Sequence, residues 1–94
     1  MHPGDDIVMT KYAAVEGTTI LAEDFPDRVS SVSPELRNAA RALSGQLSIV
    51  PESKIAMRHG AVAMHDVTEG GVLGASWELG FANNCSVMID SSKI

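Results

Sequence analysis

Three short segments of this chain predict β-strands, two because they are mostly apolar runs and one because its apolar residues alternate with others. Asp6–Tyr12 is a short and mostly apolar run, and Ala61–Asp66 begins with four apolar residues. In Cys85–Ile89 the odd-numbered positions form one apolar face, which is the periodicity of a strand that packs one side on a core. We therefore expect a strand in each of these three segments.

Two helices are predicted in the first half of the chain. Thr19–Ala22 predicts a short helix that ends near Pro26, because proline interrupts helical hydrogen bonding. Ser33 and Pro34 have the residue types of an N-cap and a first helical position. Apolar residues then recur at helical spacing and predict an amphipathic helix that packs one face on a sheet: Leu36, Ala39, Ala40, Leu43 and Leu47.

Two further helices are predicted in the second half. Pro51 opens a short helix through Arg58, and Gly60 ends it. The segment from Gly71 to Phe81 is apolar on more than one side, so we expect this helix to be buried. The pair Asn83-Asn84 should end it.

Strands that alternate with helices predict an α/β (α+β) fold, in which a mixed sheet packs with helices in layers. A chain of 94 residues with 45% hydrophobic residues is expected to form a single domain with one small core. The last predicted strand leaves a sheet edge and an apolar face uncovered. We therefore expect the chain to bury them against a copy of itself as a homo-oligomer.

The charge balance limits the partners that the chain can bind. Its net charge is -5, without the clusters of Lys and Arg that nucleic acid or an anionic membrane surface would require. A single cysteine cannot form an internal disulfide, and no basic leader or long apolar run marks a signal peptide or a membrane span. We expect a cytoplasmic protein that binds neither nucleic acid nor membranes.

The segment that most narrows the function is Asp66–Gly71, a polar turn between a predicted strand and a predicted helix. Two adjacent glycines at a helix entrance let the backbone approach a ligand, and the free N–H groups of the first turn suit an anion. In this interpretation Thr68, Gly70 and Gly71 donate hydrogen bonds to a phosphate or an anionic substrate. Asp66 then orients the turn or a metal-bound water.

A second interpretation assigns the same turn to helix capping. Asp66 or Thr68 would be the N-cap, Glu69 would complement the helix dipole, and the glycines would allow strand and helix to pack closely. Spacing alone favours capping, because Asx and Thr caps are common.

Glu16–Thr18 has the same arrangement ahead of a predicted helix. Gly17 and Thr18 either form a second anion site at a helix entrance or only start the helix. Lys11, at the end of the first predicted strand, either neutralises a phosphate or is an ordinary solvated lysine. We predict no catalytic residue and no metal ligand, because the three histidines lack metal-ligand spacing and the single cysteine is expected in the core.

Three parts of the chain, Gly4–Tyr12, Glu16–Thr18 and Met64–Val72, resemble the C-terminal domain of proteins related to aminoimidazole ribonucleotide (AIR) synthase. The resemblance extends over nearly the whole chain. The superfamily also includes formylglycinamide ribonucleotide amidotransferase, selenophosphate synthetase and thiamine monophosphate kinase. The segment Met64–Val72 is most similar to the hydrogenase maturation branch, which dehydrates a thiocarboxamide to a thiocyanate.

The resemblance implies an ATP-dependent enzyme in which an oxygen is phosphorylated, with ATP and magnesium held mainly by an N-terminal domain. Residues 1–94 are similar only to the first part of the C-terminal domain, without the ATP-binding domain, the second half of the C-terminal domain or the terminal cysteine of the maturation branch. We expect a part of such an enzyme that is inactive alone and holds no cofactor by itself. Its expected partners are a copy of itself, the missing ATP-binding domain or a maturation protein.

With the resemblance, the Asp66–Gly71 turn is favoured as part of the substrate or phosphate side of the active-site cleft. A non-enzymatic α/β module that binds a small anion or a partner protein is the alternative. The predicted substrate- and phosphate-binding residues are Lys11, Gly17, Thr18, Asp66, Thr68, Glu69, Gly70 and Gly71.

Overall fold

Helices dominate the computed structural model, which describes residues 1–93. In this range the α-helices are α1 (Val15–Asp24), α2 (Pro34–Ala42), α3 (Val50–Arg58) and α4 (Gly71–Ala82). Short 3₁₀ helices occur at Pro26–Val29, Leu43–Gln46 and Ser91–Lys93. Residues 1–93 contain no strand. The predicted α/β fold, with a mixed sheet packed against helices, is therefore wrong.

The three predicted strands lie in segments without regular secondary structure. A strand forms only in a ladder, where its N–H and C=O groups bond to a neighbouring strand. Two of these segments instead begin with a bond to the end of the preceding helix, such as Ala61 N–H to the Ala56 carbonyl at 3.0 Å. Cys85 N–H likewise donates to the Gly80 carbonyl at 2.9 Å. The alternation of apolar residues can predict which side of a segment faces inward. It cannot predict whether another strand is available for pairing.

The segment Cys85–Ile89 shows this distinction clearly. Cys85 and Val87 are half-buried whereas Ser86 and Met88 are exposed, as the alternation predicts, but Ile89 is exposed as well. A Cβ added at Gly80 would lie 2.8 Å from the Cys85 carbonyl oxygen and 3.1 Å from a Val87 methyl group. The segment therefore packs closely on α4 through a glycine, and not beside a second strand.

The chain divides into two compact units, each with a small buried core. One unit is Ala14–Ile49, in which α1 packs against α2 and the following 3₁₀ helix. Thr19 and Ala22 of α1 are buried there. The other unit combines Met1–Ala13 with the chain from Val50 onwards, and Ala75 and Gly80 of α4 are buried in it.

The helix signals read from local sequence are confirmed. The Ser33 hydroxyl accepts a hydrogen bond from the Leu36 N–H at 3.3 Å, and Pro34 is the first residue of α2. Helix α3 begins one residue before Pro51 and ends at Arg58, and Gly60 follows with a φ of +85°.

The predicted environment of two helices is wrong. Helix α2 packs on α1 instead of on a sheet, and Leu36 remains exposed. Helix α4 buries only the side that carries Ala75 and Gly80, and Leu73, Trp77 and Phe81 are exposed. Within residues 1–93, no helix has the length and apolar character that crossing a membrane requires.

Candidate functional site

The turn Asp66–Gly71 ends in two glycines that both adopt the left-handed backbone region. Gly70 has a φ of +74° and Gly71 a φ of +63°. A residue with a Cβ would lose about 1–2 kcal/mol at each such position. Gly70 is also the N-cap of α4, so neither Asp66 nor Thr68 occupies that position. The turn therefore depends on glycine for its backbone shape.

Gly74 completes this turn, although the sequence did not lead us to predict a role for it. Its N–H donates to the Gly70 carbonyl at 3.1 Å. A Cβ added at Gly74 would lie only 2.7 Å from the Glu69 carbonyl oxygen. A third glycine four residues after Gly70 is the sequence signal for this close contact, because residues i and i+4 are neighbours on a helix.

Three backbone donors precede the first hydrogen bond of α4. Because that bond starts at the Gly74 N–H, the N–H groups of Gly71, Val72 and Leu73 have no acceptor within the helix. No side chain within residues 1–93 caps them. Gly71 and Leu73 are exposed and Val72 is half-buried. The positive end of the helix dipole is therefore open to an anion.

His65 connects this turn to the body of α4. Its Nδ1 lies 2.6 Å from the Asp66 carbonyl oxygen, and its Nε2 lies 3.2 Å from Oε2 of Glu78. A neutral imidazole has one N–H and can donate to only one of these oxygens. His65 is thus a hydrogen-bonded turn histidine. The part played by Glu78 has no local sequence signal, since the two residues are far apart along the chain.

The three polar side chains of the turn point away from the core. Asp66, Thr68 and Glu69 are all exposed. The Asp66 carboxylate lies 3.6 Å from Nδ1 of His65. Glu69 approaches Gly74 through its backbone carbonyl and not through its side chain. The exposed Thr68 hydroxyl can donate a hydrogen bond to a ligand. The two carboxylates add negative charge to the same turn.

Lys11 is already paired with a carboxylate. Its Nζ lies 3.1 Å from Oε1 of Glu52 on α3, and its backbone adopts a φ of +63°. The hydrogen bond from the backbone N–H of Glu52 and then the contact with Lys11 hold the pKa of the Glu52 carboxyl below its ordinary range. The lysine ammonium therefore stabilises α3, and a phosphate would compete with Glu52 for it.

Gly17 and Thr18 lie inside the first turn of α1 and not in a loop before it. The Thr18 N–H donates to the Ala14 carbonyl at 2.9 Å, which leaves the Gly17 N–H without a helical acceptor. Both residues belong to the Ala14–Ile49 unit, whereas Lys11 and Asp66–Gly71 belong to the other unit.

Residues 2–94 match the family described as AIR synthase related protein, C-terminal domain. Comparisons with curated proteins and with solved structures find no match. The matched range includes the whole Asp66–Gly71 turn and the other predicted binding residues. This chain therefore belongs to the AIR synthase related family and corresponds to its C-terminal domain.

Proposed function

We propose that this chain supplies the substrate- or phosphate-facing part of the active-site cleft in an ATP-dependent enzyme related to AIR synthase. Membership of the family supports this class of enzyme. The similarity of Met64–Val72 to the hydrogenase maturation branch supports that type within the family. The observation that carries the proposal is the entrance of α4, where three backbone N–H groups have neither a helical acceptor nor a side-chain cap.

Within this proposal the turn residues have different roles. The N–H groups of Gly71, Val72 and Leu73 bind an anionic oxygen, and the Thr68 hydroxyl adds a fourth donor. Asp66 and Glu69 repel a phosphate, so they bind N–H or O–H groups of the substrate instead. With two carboxylates close by, the chain alone should bind phosphate only in the millimolar range, or about -4 kcal/mol.

ATP and magnesium are the cofactors of the complete family enzymes, and the described residues do not fit a magnesium site. Within residues 1–93, no three His, Cys, Asp or Glu side chains converge as metal ligands. The proposal therefore assigns ATP and magnesium to a separate ATP-binding domain.

A variant of Val72 provides a direct test, because proline at the second helical position removes one donor without breaking a helical bond. Pro51 occupies the same position in α3. We expect inorganic phosphate to shift the amide NMR signals of Gly71, Val72 and Leu73 in the wild type. In Val72→Pro the shifts at Gly71 and Leu73 should weaken at least threefold.

The matched control is Glu16→Pro, which places proline at the second position of α1. It should leave the phosphate shifts at α4 unchanged. Shifts in Val72→Pro that equal those of the wild type would refute binding at this helix entrance. Shifts spread evenly over the exposed amides would refute it as well.

A further inference from the structure

His65 joins the Asp66–Gly71 turn to the body of α4 through both of its ring nitrogens. Nδ1 lies 2.6 Å from the Asp66 carbonyl oxygen, and Nε2 lies 3.2 Å from Oε2 of Glu78. We call these two contacts the His65 bridge. Glu78 lies about two turns inside α4, so the bridge connects the turn to a point well beyond the helix entrance.

The turn passes along the side of α4 that carries Gly74 and Glu78. These two residues are four apart and therefore lie on the same side of the helix. The Glu69 carbonyl approaches α4 at Gly74, and His65 contacts it one turn further along, at Glu78. The contact at Gly74 is backbone packing and does not depend on charge. The contact at Glu78 joins two ionisable side chains, so it is the one that protonation can change.

Both oxygens of the His65 bridge are hydrogen-bond acceptors. A carbonyl and an ionised carboxylate accept hydrogen bonds and donate none, whereas a neutral imidazole has one N–H and an imidazolium has two. Both contacts are therefore hydrogen bonds only when His65 is protonated. In the neutral ring the shorter contact, at Asp66, retains the N–H. A nitrogen lone pair then faces the Glu78 carboxylate, and their repulsion opens that contact.

We propose that His65 is a positioning residue whose protonation holds the turn against α4 and whose deprotonation releases it. The effect on ligand binding rests on the proposed function. A turn that is held against α4 presents the N–H groups of Gly71, Val72 and Leu73 in a fixed arrangement. The helix entrance therefore binds an anion more tightly when His65 is charged.

The charges that face His65 act in the same direction. They are the Asp66 carboxylate, 3.6 Å from Nδ1, and the Glu78 carboxylate, and within residues 1–93 His65 forms no other ion pair. A charged His65 offsets the negative charge that both acids bring to an incoming anion. The side chains of His65 and Glu78 are 30% and 48% exposed, so water screens their interaction. We accordingly expect a modest gain in affinity, about threefold.

NMR spectroscopy at about pH 5.5 and about pH 8 tests the proposal, because histidine side chains ordinarily change charge in this range. The amide signals of Val67, Gly70 and Gly71 report on the turn, and the ring signals of His65 report on its charge. Sulfate is the probe, since its charge does not change in this range. In the wild type we expect the turn amides to shift together with the ring signals, and sulfate to bind about threefold more tightly at the lower pH.

Two variants of Glu78 separate charge from hydrogen bonding. The amide group of Glu78→Gln can accept from a charged ring or donate to a neutral one, so the bridge should persist at both pH values. This variant should lose most of the pH dependence of the turn amides. Glu78→Ala removes the bridge, so its turn amides should resemble those of the wild type at high pH throughout. The matched control is Glu23→Gln, which removes the same charge from α1 and should behave as the wild type does.

Turn amides of the wild type that do not follow the ring signals of His65 would overturn the proposal. A pH dependence in Glu78→Gln equal to that of the wild type would also overturn it. Failure of the proposed function gives a different result: sulfate would not bind the wild type at either pH, while the turn amides would still follow His65. That result would support the positioning role of His65 and refute the anion site.

Discussion

The entrances of α1 and α4 share three backbone features. Each helix follows a residue in the left-handed region, Ala14 with a φ of +58° and Gly70 with a φ of +74°. As far as residues 1–93 show, neither entrance has a side-chain cap. In both helices three N–H groups precede the first helical hydrogen bond.

The two entrances differ in where their acidic residue lies. Glu16 is in the first turn of α1, where its carboxylate neutralises the positive end of the helix dipole. The corresponding acid at α4, Glu69, precedes the N-cap, and the first turn of α4 is uncharged. The position of the acidic residue therefore distinguishes the two helices. Glu16 complements the dipole of α1, whereas the entrance of α4 remains open to an external anion.

The largest expected effect concerns Gly74, because the tight turn at α4 has no counterpart at α1. Gly74→Ala would place a Cβ 2.7 Å from the Glu69 carbonyl oxygen. We expect the free energy of unfolding to fall by about 1–3 kcal/mol, as in other overpacked sites. Urea denaturation monitored by circular dichroism measures this change.

Gly17→Ala is the matched control at α1, since a Cβ added there meets nothing within 4 Å. It should stabilise the chain by about 0.5–1 kcal/mol, because alanine has the higher helix propensity. If both alanine variants change stability in the same direction, the two entrances do not differ as the structure indicates.

A smaller effect distinguishes the capped helix α2 from the uncapped α4. Ser33→Ala removes the side-chain cap of α2 and should cost about 1 kcal/mol. Thr68→Ala and Asp66→Ala should stay within about 0.5 kcal/mol of the wild type, because neither side chain caps α4. The same denaturation experiment compares all three. A loss at Thr68 as large as that at Ser33 would restore the capping interpretation of the turn.

The smallest effect concerns Lys11, which the sequence offered either as a cation for a phosphate or as an ordinary solvated lysine. The pKa of Glu52 is lowered in the folded chain, so the unfolded chain takes up the proton at a higher pH. The stability due to ionised Glu52 is therefore complete above the unfolded pKa and is lost as pH falls through the folded pKa. Oε2 of Glu52 is shielded from solvent and has no hydrogen-bond partner among the described residues. Because an unsatisfied oxygen costs free energy, it limits the stability that ionised Glu52 contributes.

Thermal unfolding of the wild type and of Glu52→Gln between neutral and acidic pH tests this linkage. The wild type should be the more stable at neutral pH, and the difference should shrink towards acidic pH. A difference that is constant with pH would show that the Lys11–Glu52 pair has no influence on folding.

The sequence by itself determined where helices begin and end and which residue types form the Asp66–Gly71 turn. Ser33-Pro34, Pro51 and Gly60 mark helix ends through hydrogen bonds and backbone angles that involve only a few neighbouring residues, so a local pattern suffices to predict them. The pair of glycines at positions 70 and 71 was evident from the sequence as part of the turn, whereas their left-handed angles are a finding of the structure. Gly74 escaped prediction because its role depends on the close approach of the Glu69 carbonyl.

Only the tertiary structure decided which segments pair, which faces are buried and which charges meet. A strand requires a partner strand from elsewhere in the chain, so the alternation in Cys85–Ile89 predicted an inward side but not a sheet. Helix α4 is apolar on more than one side, and Cys85 and Val87 pack on it at Gly80. The pairing of Lys11 with Glu52 likewise joins residues far apart in sequence, and such contacts leave no local signal.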